Sequence, residues 1–480
     1  MKIYRIFFYI LFLSLTFNKS KGQIQINTIS LVSSENLSTM FCFNNSKLMK
    51  GNSISDRYLV YYNSDTIFLN VKQSGTWTKK VVYTGSNLSS ATISYNNDTI
   101  WVCWQELINI RARFSPDLGD SWSDIIEIAG FSRVGSPSIF AAENGKVHFA
   151  WHKQGSGDTA IYYRYYFNGS LSDTIRLSNV MKQGLAPSLI AIGDTVLCTW
   201  KENPLPSQVW FRRSFDGGNI WDPSFSQPTN LISLTKDPNL AHAFDSTLNK
   251  HYVYLAYDGK NMIYLQRTTN FGDSWSHPDT ISNLHKLSQF AHIDCNDNGF
   301  VGLSYEQRPI GTSLLDDSKK DVGFTYSTNW GEPESFSVDT LAYTHNSLGS
   351  VYPAINKIDD NNFFLTWLTR DTLNNIAKVL ERRIHITGTL GINTQTQNVS
   401  QTINLFPNPI STQMQLHMDN PLKNATVTVY NILGQQVMEY KNINGSYVML
   451  KTNNLTNGIY FVRILQSSEI IAVRKVVVKY

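Results

Sequence analysis

Charged residues are scarce in this 480-residue chain: Asp, Glu, Lys and Arg make up 16% of it, and the formal net charge is only +4. So small a positive excess does not indicate a nucleic-acid partner, and there is no basic run with interleaved aromatic residues. The low charge content also argues against long solvated helices. Aromatic residues reach 12%, and this abundance of strand formers is typical of a large β protein.

Cysteine is scarce as well, and the four cysteines lie far apart, at Cys42, Cys103, Cys198 and Cys295. Their spacing matches no zinc motif and is unlike a disulfide framework, although a disulfide stays open in an exported protein. Each cysteine lies in a strand-like stretch, so we expect buried free thiols. The sequence predicts neither a metal site nor a cofactor.

Long apolar runs are absent except near the N-terminus, where Ile6 to Phe17 follows the basic residues Lys2 and Arg5. The small residues Ser20 and Gly22 complete the pattern of a signal peptide that covers the first 22 residues. The run is too short for a membrane span, which needs about 20 apolar residues. No cysteine follows the expected cleavage site, so a lipoprotein is not indicated, and no later segment is apolar enough to cross a bilayer.

A short turn that ends in tryptophan recurs along the chain. It reads Ser115-Pro-Asp117-Leu-Gly119-Asp-Ser-Trp122, Ser214-Phe-Asp216-Gly-Gly218-Asn-Ile-Trp221 and Thr268-Thr-Asn270-Phe-Gly272-Asp-Ser-Trp275, with a worn copy at Ser327-Thr-Asn329-Trp-Gly331 near Phe336. The Asp or Asn side chain and the hydroxyl accept hydrogen bonds from the turn's own amides, and Gly permits a positive φ. The Trp is a large apolar plug. We therefore expect these residues to have a structural role.

The turn resembles the Asp-box (BNR) repeat of sialidases and other β-propellers. Aligned on the turns, the chain shows units of roughly 45 to 60 residues, as expected for propeller blades of four antiparallel strands. One strand in each unit ends in an aromatic residue: Tyr62, Trp104, Trp151, Trp200, Tyr257, Tyr305 and Trp367. We predict an all-β fold over residues 23–388, a β-propeller with seven blades; six remain possible if the first unit is irregular. The segment Ile24 to Val32 is expected to complete the last blade and close the ring.

Two sequence patterns resemble parts of metal-binding sites. Asp294 to Gly299 matches the first half of a calcium-binding loop, but Tyr305 stands where the bidentate acid should be, so a hairpin turn is the better interpretation. His242 and His292 are predicted to occupy the same place in adjacent inner strands, whose starts are marked by prolines such as Pro238. A metal or proton site is conceivable there, but histidines that fill space between blades are the simpler interpretation.

Ligands of propellers usually meet the face where the inner strands begin and where the second strand of each blade ends; we call it the rim face. The Asp-box turns lie on the opposite face. Candidate rim residues are Gln105, Glu106, His152, Lys153, Lys201, Glu202, Asp258, Glu306, Arg308, Arg370 and Asp371. Acidic residues at the rim of a secreted protein are ordinarily solvated, so their presence alone does not indicate catalysis.

A sialidase-like site requires three arginines that clamp the sugar carboxylate, a Tyr–Glu nucleophile pair and an acidic proton donor. The Arg-Ile-Pro motif that opens the family's propeller is absent, and Arg57 is the only early arginine of the expected propeller. Arg308 and Arg370 are two possible clamps, without an evident third. The fold resemblance therefore leaves catalysis uncertain.

The composition changes after Gly388, where residues 389–403 form an uncharged linker rich in Thr, Gln and Asn. Residues 404–480 then show Leu405-Phe-Pro407-Asn408-Pro409, Tyr430-Asn-Ile-Leu-Gly434-Gln-Gln-Val437 and Leu455-Thr-Asn-Gly458-Ile-Tyr460-Phe-Val, and end in a basic, apolar segment. This module resembles the type A C-terminal sorting domain of the type IX secretion system. The resemblance implies a small β-sandwich, the secretion machinery as a partner, and transport across the outer membrane to the medium or the cell surface.

These observations favour a secreted, surface-attached propeller that binds an extracellular glycan or protein through its rim loops. A sialidase-like glycoside hydrolase and a non-catalytic surface scaffold are the alternatives. The predicted rim residues of interest are Glu106, His152, Lys201, Glu202, Asp258, Glu306, Arg308 and Arg370.

Overall fold

The computed structural model describes residues 23–36, 48–50, 56–63, 65–130, 133–155, 157–180, 182–203, 208–222, 235–313, 316–337, 340–343, 349–371, 374–387, 403–407, 409–431, 435–466 and 469–479. The predicted signal peptide, Cys42 and the predicted linker up to residue 402 lie outside this description. The chain divides into two compact units, Met1–Ile392 and Asn393–Tyr480. Each unit is built from β-strands.

The first unit is a β-propeller of seven blades, counted over the described strands. The chain begins with β1 (Gln23–Asn36), and blade 1 follows with β2 (Leu48–Lys50), β3 (Arg57–Tyr62), β4 (Thr66–Gln73) and β5 (Thr76–Thr84). Blade 2 contains β6 (Leu88–Asn96), β7 (Thr99–Glu106), β8 (Asn109–Ser115) and β9 (Ile126–Ala129). Blade 3 contains β10 (Val134–Ala141), β11 (Val147–Gln154), β12 (Thr159–Phe167), β13 (Ser170–Leu171) and β14 (Ile175–Arg176). Blades 3 and 4 share one parallel pair, Thr159 with Gln183.

The remaining blades repeat the same order from the inner strand outwards. Blade 4 contains β15 (Gln183–Ile192), β16 (Thr195–Asn203) and β17 (Gln208–Ser214); blade 5 contains β18 (Thr235–Asp245), β19 (Lys250–Gly259), β20 (Met262–Thr268) and β21 (Asp279–Thr280); blade 6 contains β22 (Lys286–Cys295), β23 (Val301–Pro309), a 3-10 turn (Asp317–Lys319), β24 (Asp321–Ser327) and β25 (Thr340–Tyr343); blade 7 contains β26 (Gly349–Asp359), β27 (Asn362–Asp371) and β28 (Ile376–Thr387).

The N-terminal strand closes the ring. β1 pairs antiparallel with β28 from Gln23 opposite Thr387 to Asn36 opposite Ile376, so it supplies the outermost strand of blade 7. The inner strands of successive blades contact one another, and β2 of blade 1 contacts β26 of blade 7. Pairing the first strand with the last removes an open sheet edge. The prediction of seven blades closed by the N-terminal segment is confirmed.

The aligned aromatic residues pack against the preceding blade. Trp104, Trp151, Trp200, Tyr257, Tyr305 and Trp367 are each at most 1% exposed and lie in the apolar clusters that join their blade to the one before it. In blade 1 the aromatic residue that packs against the preceding blade is Tyr61, one residue before the predicted Tyr62. Tyr61 faces blade 7, whereas Tyr62 faces blade 2. Successive strand side chains point to opposite faces, so two adjacent tyrosines cannot be distinguished by sequence.

Each Asp-box turn is held by its own side chains. The hydroxyls of Ser115, Ser214 and Thr268 accept hydrogen bonds from the amides of Gly119, Gly218 and Gly272 at 2.7, 3.0 and 3.0 Å. Asp117, Asp216 and Asn270 accept from the amides four residues later, at 2.8, 2.9 and 3.1 Å. Trp122, Trp221 and Trp275 belong to three different apolar clusters. These contacts support a structural role for the turns.

The glycines of these turns have positive φ angles, and they lie against the preceding blade. Gly119 has a φ of +86°, and a Cβ there would lie 2.8 Å from the side chain of Leu69 in blade 1. A side chain at this position would therefore be strained and would push the two blades apart.

The cysteines that the structure describes carry the buried free thiols that the sequence predicts. Cys103, Cys198 and Cys295 are free and buried. Burial raises the pKa of the Cys103 and Cys198 thiols, which therefore remain protonated and unreactive at neutral pH.

The second unit is a compact β-structure. Its strands are β29 (Ile403–Phe406), β30 (Gln413–Asn431), β31 (Gln436–Lys451), β32 (Gly458–Gln466) and β33 (Glu469–Val478). The long strand β30 pairs with β29, β31 and β32, and β33 completes the edge beyond β32. Alternate residues such as Val427, Val429, Val462 and Ile464 are buried in one apolar core.

Candidate functional site

The structure buries most of the predicted rim residues. Glu106, Glu202, Asp258, Glu306 and Arg308 are between 1% and 7% exposed, whereas His152, Lys201 and Arg370 are half-buried. The expectation that the rim acids are solvated is therefore wrong. A buried carboxylate is stable only where hydrogen bonds or opposite charges replace its hydration.

Glu106 and Glu202 hold the loops that enter their own blades. The amide of Ser86 donates to Glu106 Oε1 at 3.2 Å, and the amide of Asn179 donates to Glu202 Oε1 at 3.3 Å. Glu106 is also paired with Arg111, and Glu202 accepts from the indole of Trp200 at 3.1 Å. Both carboxylates therefore organise loops at equivalent positions of blades 2 and 4.

Glu306 connects blades 6 and 7. Its Oε1 accepts from the amide of Tyr352 at 2.8 Å, and its Oε2 accepts from Gln289 at 3.2 Å. The ammonium group of Lys320 lies 3.6 Å from Oε2. With only 1% of the residue exposed, the Glu306 carboxylate is enclosed by donors and is not accessible to a substrate.

The inner strands carry a repeated strained bulge next to the rim face. In blades 2 to 7 the register of the inner strand shifts over two residues. The first of the two has a positive φ in every case: Ser90 (53°), Ser136 (47°), Ala186 (51°), Asp237 (45°), Phe290 (56°) and Tyr352 (53°). The second is Pro or Ala, and Pro suits a bulge because no ladder donor is needed there. This explains the prolines that mark the inner strands.

Two bulky aromatic residues occupy this strained position on adjacent blades. The rings of Phe290 in blade 6 and Tyr352 in blade 7 lie 6.3 Å apart, and the guanidinium of Arg370 lies 5.7 Å from the Tyr352 ring centroid. We name Phe290, Tyr352 and Arg370 the aromatic platform. A positive φ is a genuine outlier for a bulky residue. The aligned sequence points to Arg370 but to neither aromatic residue, because no local pattern marks a bulge at Phe290.

Arg308 lies in the same region on β23 and is only 4% exposed. Its Nε is buried without a hydrogen-bond partner among the described residues. Burial lowers the pKa of Arg308, and the negative charge of Glu306 opposes this effect. Among the predicted residues, Glu306 and Arg370 therefore both contact Tyr352 of blade 7, and Arg308 lies two residues after Glu306 on β23.

A second group of predicted residues lies on blades 2 to 4. Gln105 and His152 line a cleft of about 560 Å³, and Lys201 pairs across the strands with Leu185, which lines the same cleft. Burial lowers the pKa of His152 to about 4, so its imidazole is neutral at physiological pH. Asp258, on blade 5, belongs to neither group.

The predicted equivalence of His242 and His292 was wrong. Strand register makes Asn239 the counterpart of His292, because each is the first paired residue after its bulge. Side chains at this position accept a hydrogen bond from the next inner strand: Leu189 N to Ser138 (3.3 Å), Leu240 N to Ser188 (3.3 Å), Ile293 N to Asn239 (3.2 Å) and Ile355 N to His292 (3.3 Å). His292 therefore joins blades.

His242 and His292 both line a central cavity of about 620 Å³, but they occupy different positions along their strands. His242 contacts a further histidine. Its Nε2 lies 2.9 Å from Nδ1 of His251, and burial together with this neighbour lowers the pKa of His242 to about 4. Within the described ranges no group of three His, Cys, Asp or Glu side chains is arranged to hold a metal. The segment from Asp294 to Gly299 forms a hairpin turn, in which Asn296 accepts hydrogen bonds from the amides of Asn298 and Phe300.

Comparison with protein families identifies the second unit. The family described as "Secretion system C-terminal sorting domain" matches residues 404–479. The predicted sorting domain is confirmed, and the protein is exported across the outer membrane to the cell surface or the extracellular space. No curated protein matches the chain at a significant level. None of the described helical segments is long and apolar enough to cross a membrane.

Solved structures similar to the chain include several β-proteins of low sequence identity. A mutant Trypanosoma rangeli sialidase with trans-sialidase activity is 10% identical, with 93% of this chain and 88% of that one covered at a TM-score of 0.42. The Aleuria aurantia lectin is 13% identical (64% and 97% covered, TM-score 0.41). A Dyadobacter fermentans protein of unknown function is 11% identical (62% and 94%, TM-score 0.42). Because these TM-scores are below 0.5, the assignment of the first unit as a β-propeller is based on the strand pairing observed in this chain.

Proposed function

We propose that this secreted propeller is a non-catalytic glycan-binding protein whose aromatic platform contacts the sugar. The observation that carries the proposal is the pair of strained aromatic residues, Phe290 and Tyr352, on adjacent blades of the rim face. A sugar ring presents C–H groups on its faces that pack on aromatic rings, and a guanidinium such as that of Arg370 donates to its hydroxyls.

The backbone strain supports a functional role for the platform. A left-handed conformation costs an L-residue roughly 1–2 kcal/mol, and Gly would avoid this cost. The equivalent positions of blades 2 to 4 carry the small residues Ser90, Ser136 and Ala186, so the bulge itself does not need an aromatic ring. Strained residues cluster at ligand sites, where their geometry serves binding.

Glycan hydrolysis is the less favoured alternative because the rim carboxylates are buried and hydrogen-bonded. Most glycosidases need two carboxyl groups about 5–9 Å apart, and a sialidase-like enzyme needs an acidic proton donor beside its Tyr–Glu pair, so either kind needs a carboxyl group that faces the sugar. Glu106, Glu202 and Glu306 lie on three different blades, and each is buried against donors from its own surroundings. A surface scaffold without a ligand is the second alternative, and it gives no role to the two half-buried aromatic rings that lie 6.3 Å apart on adjacent blades.

The test uses the whole exported chain from Gln23 to Tyr480 on a glycan array, followed by calorimetry with the best ligand. Tyr352→Ala is expected to weaken binding at least tenfold. Phe215→Ala is the matched control, because Phe215 is an aromatic residue 52% exposed in an Asp-box turn on the opposite face.

Equal affinity of wild type and Tyr352→Ala would contradict the role of the platform. A fluorogenic sialoside assay runs in parallel: turnover would favour the hydrolase, and absence of binding to every glycan would favour the scaffold.

A further inference from the structure

The cleft on blades 2 to 4 is a second candidate site on the rim face, separate from the aromatic platform. Its volume of about 560 Å³ is within the range of small-ligand pockets, about 300–1,000 Å³. Its lining combines three glutamine side chains, Gln105, Gln154 and Gln183, with Arg133, His152 and apolar residues.

The wall of the cleft contains a turn that folding does not explain. Leu107 and Ile108 form the turn between β7 and β8, and they are 54% and 46% exposed. Leu107 has a φ of +53°. Two-residue hairpin turns favour Asn-Gly or Asp-Gly, which adopt positive φ easily and are solvated. Exposed aliphatic side chains on a strained turn are a feature of ligand-binding surfaces, which makes this turn a candidate contact in the cleft.

The floor of the cleft contains buried polar groups. A Cβ at Gly135 would lie 2.7 Å from His152 Cε1 and 3.0 Å from Gln105 Oε1, so only glycine leaves room for both side chains. His152 Nδ1 is buried, and no described residue hydrogen-bonds to it. Gln105 Nε2 donates to the carbonyl of Leu107 at 3.2 Å, which links the floor to the strained turn.

The accessible charge around the cleft is positive. Arg133 is exposed in the lining, Lys182 is exposed next to Gln183, and Lys201 is half-buried opposite Leu185. The nearby acids are paired or buried: Glu106 pairs with Arg111, Asp158 pairs with Arg176 at 2.7 Å, and Glu202 is 4% exposed and accepts hydrogen bonds from Asn179 and Trp200. The charges that an anionic ligand group would meet at the surface of the cleft are therefore those of the cations.

We propose that this cleft binds an acidic polysaccharide through a carboxylate or sulfate group. The anionic group contacts Arg133 and the neighbouring lysines, the glutamine amides and His152 hydrogen-bond to sugar hydroxyls, and Leu107 and Ile108 cover an apolar sugar face. The inference rests on the proposed glycan-binding function and names the glycan class. A protein partner is less favoured, since a stable protein interface needs about 800 Å² on each side.

The test measures binding of tetragalacturonate to the exported chain by calorimetry at 50 and 300 mM NaCl. Its carboxyl-reduced tetramer is the neutral control, and a chondroitin sulfate tetrasaccharide distinguishes sulfate from carboxylate. We expect affinity for at least one acidic probe that falls with salt. Arg133→Gln should weaken it about tenfold, the loss of one charge-assisted hydrogen bond. Lys260→Gln, which removes an exposed charge from the rim face of blade 5, should have little effect.

Two results would overturn the inference and leave the proposed function intact. One is affinity for the carboxyl-reduced tetramer equal to that for the tighter-binding of the two acidic probes. The other is an equal, small effect of Arg133→Gln and Lys260→Gln on acidic probes. If instead Tyr352→Ala does not alter glycan binding while Arg133→Gln does, the cleft stands and the aromatic platform fails. If no glycan of any charge binds, both proposals fail.

Discussion

Glu381 joins three parts of the chain at the point where the propeller closes, and its removal is the most informative perturbation of stability. This residue of β28 is 1% exposed. It accepts hydrogen bonds from Arg57 (3.2 and 3.3 Å) and Trp77 (3.3 Å) of blade 1 and from Ser30 of β1 (2.9 Å), and it is paired with Lys72.

The expected cost of Glu381→Gln follows from burial. The variant keeps the shape of the side chain but leaves two cations without their counter-charge, with the side chains of Arg57 and Lys72 only 5% and 13% exposed. Breaking a buried ion pair costs about 3–5 kcal/mol. Because the glutamine oxygen can still accept a hydrogen bond, we expect a loss of about 3 kcal/mol in the free energy of unfolding.

The measurement is equilibrium unfolding in guanidinium chloride, followed by tryptophan fluorescence, with hydrogen exchange over β1. Asp120→Asn is the matched control, because it breaks the exposed pair between Lys80 of blade 1 and Asp120 of blade 2 (2.8 Å, with Asp120 75% exposed). Its cost should stay below about 1 kcal/mol. Equal losses in the two variants, or unchanged exchange of β1 in Glu381→Gln, would refute the reasoning.

The same cluster predicts a pH dependence. Burial opposes ionisation of Glu381, but Arg57 and Lys72 prevail and hold its pKa below the ordinary value of 4.5. A lowered folded-state pKa contributes stability that is fully present above pH 4.5 and is lost as the pH falls through the folded-state pKa. The stability difference between wild type and Glu381→Gln should therefore shrink below pH 4.5. A constant difference down to pH 2 would contradict this assignment.

Three further predictions concern the bulges, the Asp boxes and the sorting domain. Ala186→Gly should raise the free energy of unfolding by about 1 kcal/mol, since glycine adopts the φ of +51° without strain; a lower denaturation midpoint would contradict this. Trp221→Ala should cost about 3–5 kcal/mol without altering glycan affinity, and reduced affinity at unchanged melting temperature would oppose a structural role. Deletion of residues 404–480 should leave the propeller folded but periplasmic, as fractionation would test; normal surface display of the deletion variant would disprove it.

Local patterns in the sequence predicted the architecture. The Asp-box turns and the inner-strand prolines are short-range signals, since each residue acts on the backbone beside it. The repeat of these signals was enough to predict seven blades, and the closing role of the first strand followed from the incomplete last unit. Where two aromatics are adjacent, as at Tyr61 and Tyr62, the pattern was ambiguous and the prediction failed.

The state of the rim residues depended on contacts between distant segments. Glu106, Glu202 and Glu306 lie in the second strands of their blades, as the aligned sequence predicts, but the sequence could not reveal that loop amides enclose them. The prediction that such acids are solvated treated each residue alone, whereas burial depends on the neighbouring strands and loops that cover it.

The amino-acid sequence by itself thus determined the sorting domain, the repeat and the ring, because these depend on spacing within a few residues or on one repeated period. Only the tertiary structure brought Phe290 next to Tyr352 and assembled the cleft around Gln105, His152 and Arg133. Those neighbours come from different blades, and the packing of one blade on the next decides which side chains meet. The physical reason is that a repeat specifies similar backbones, whereas a binding site depends on the side chains that differ between them.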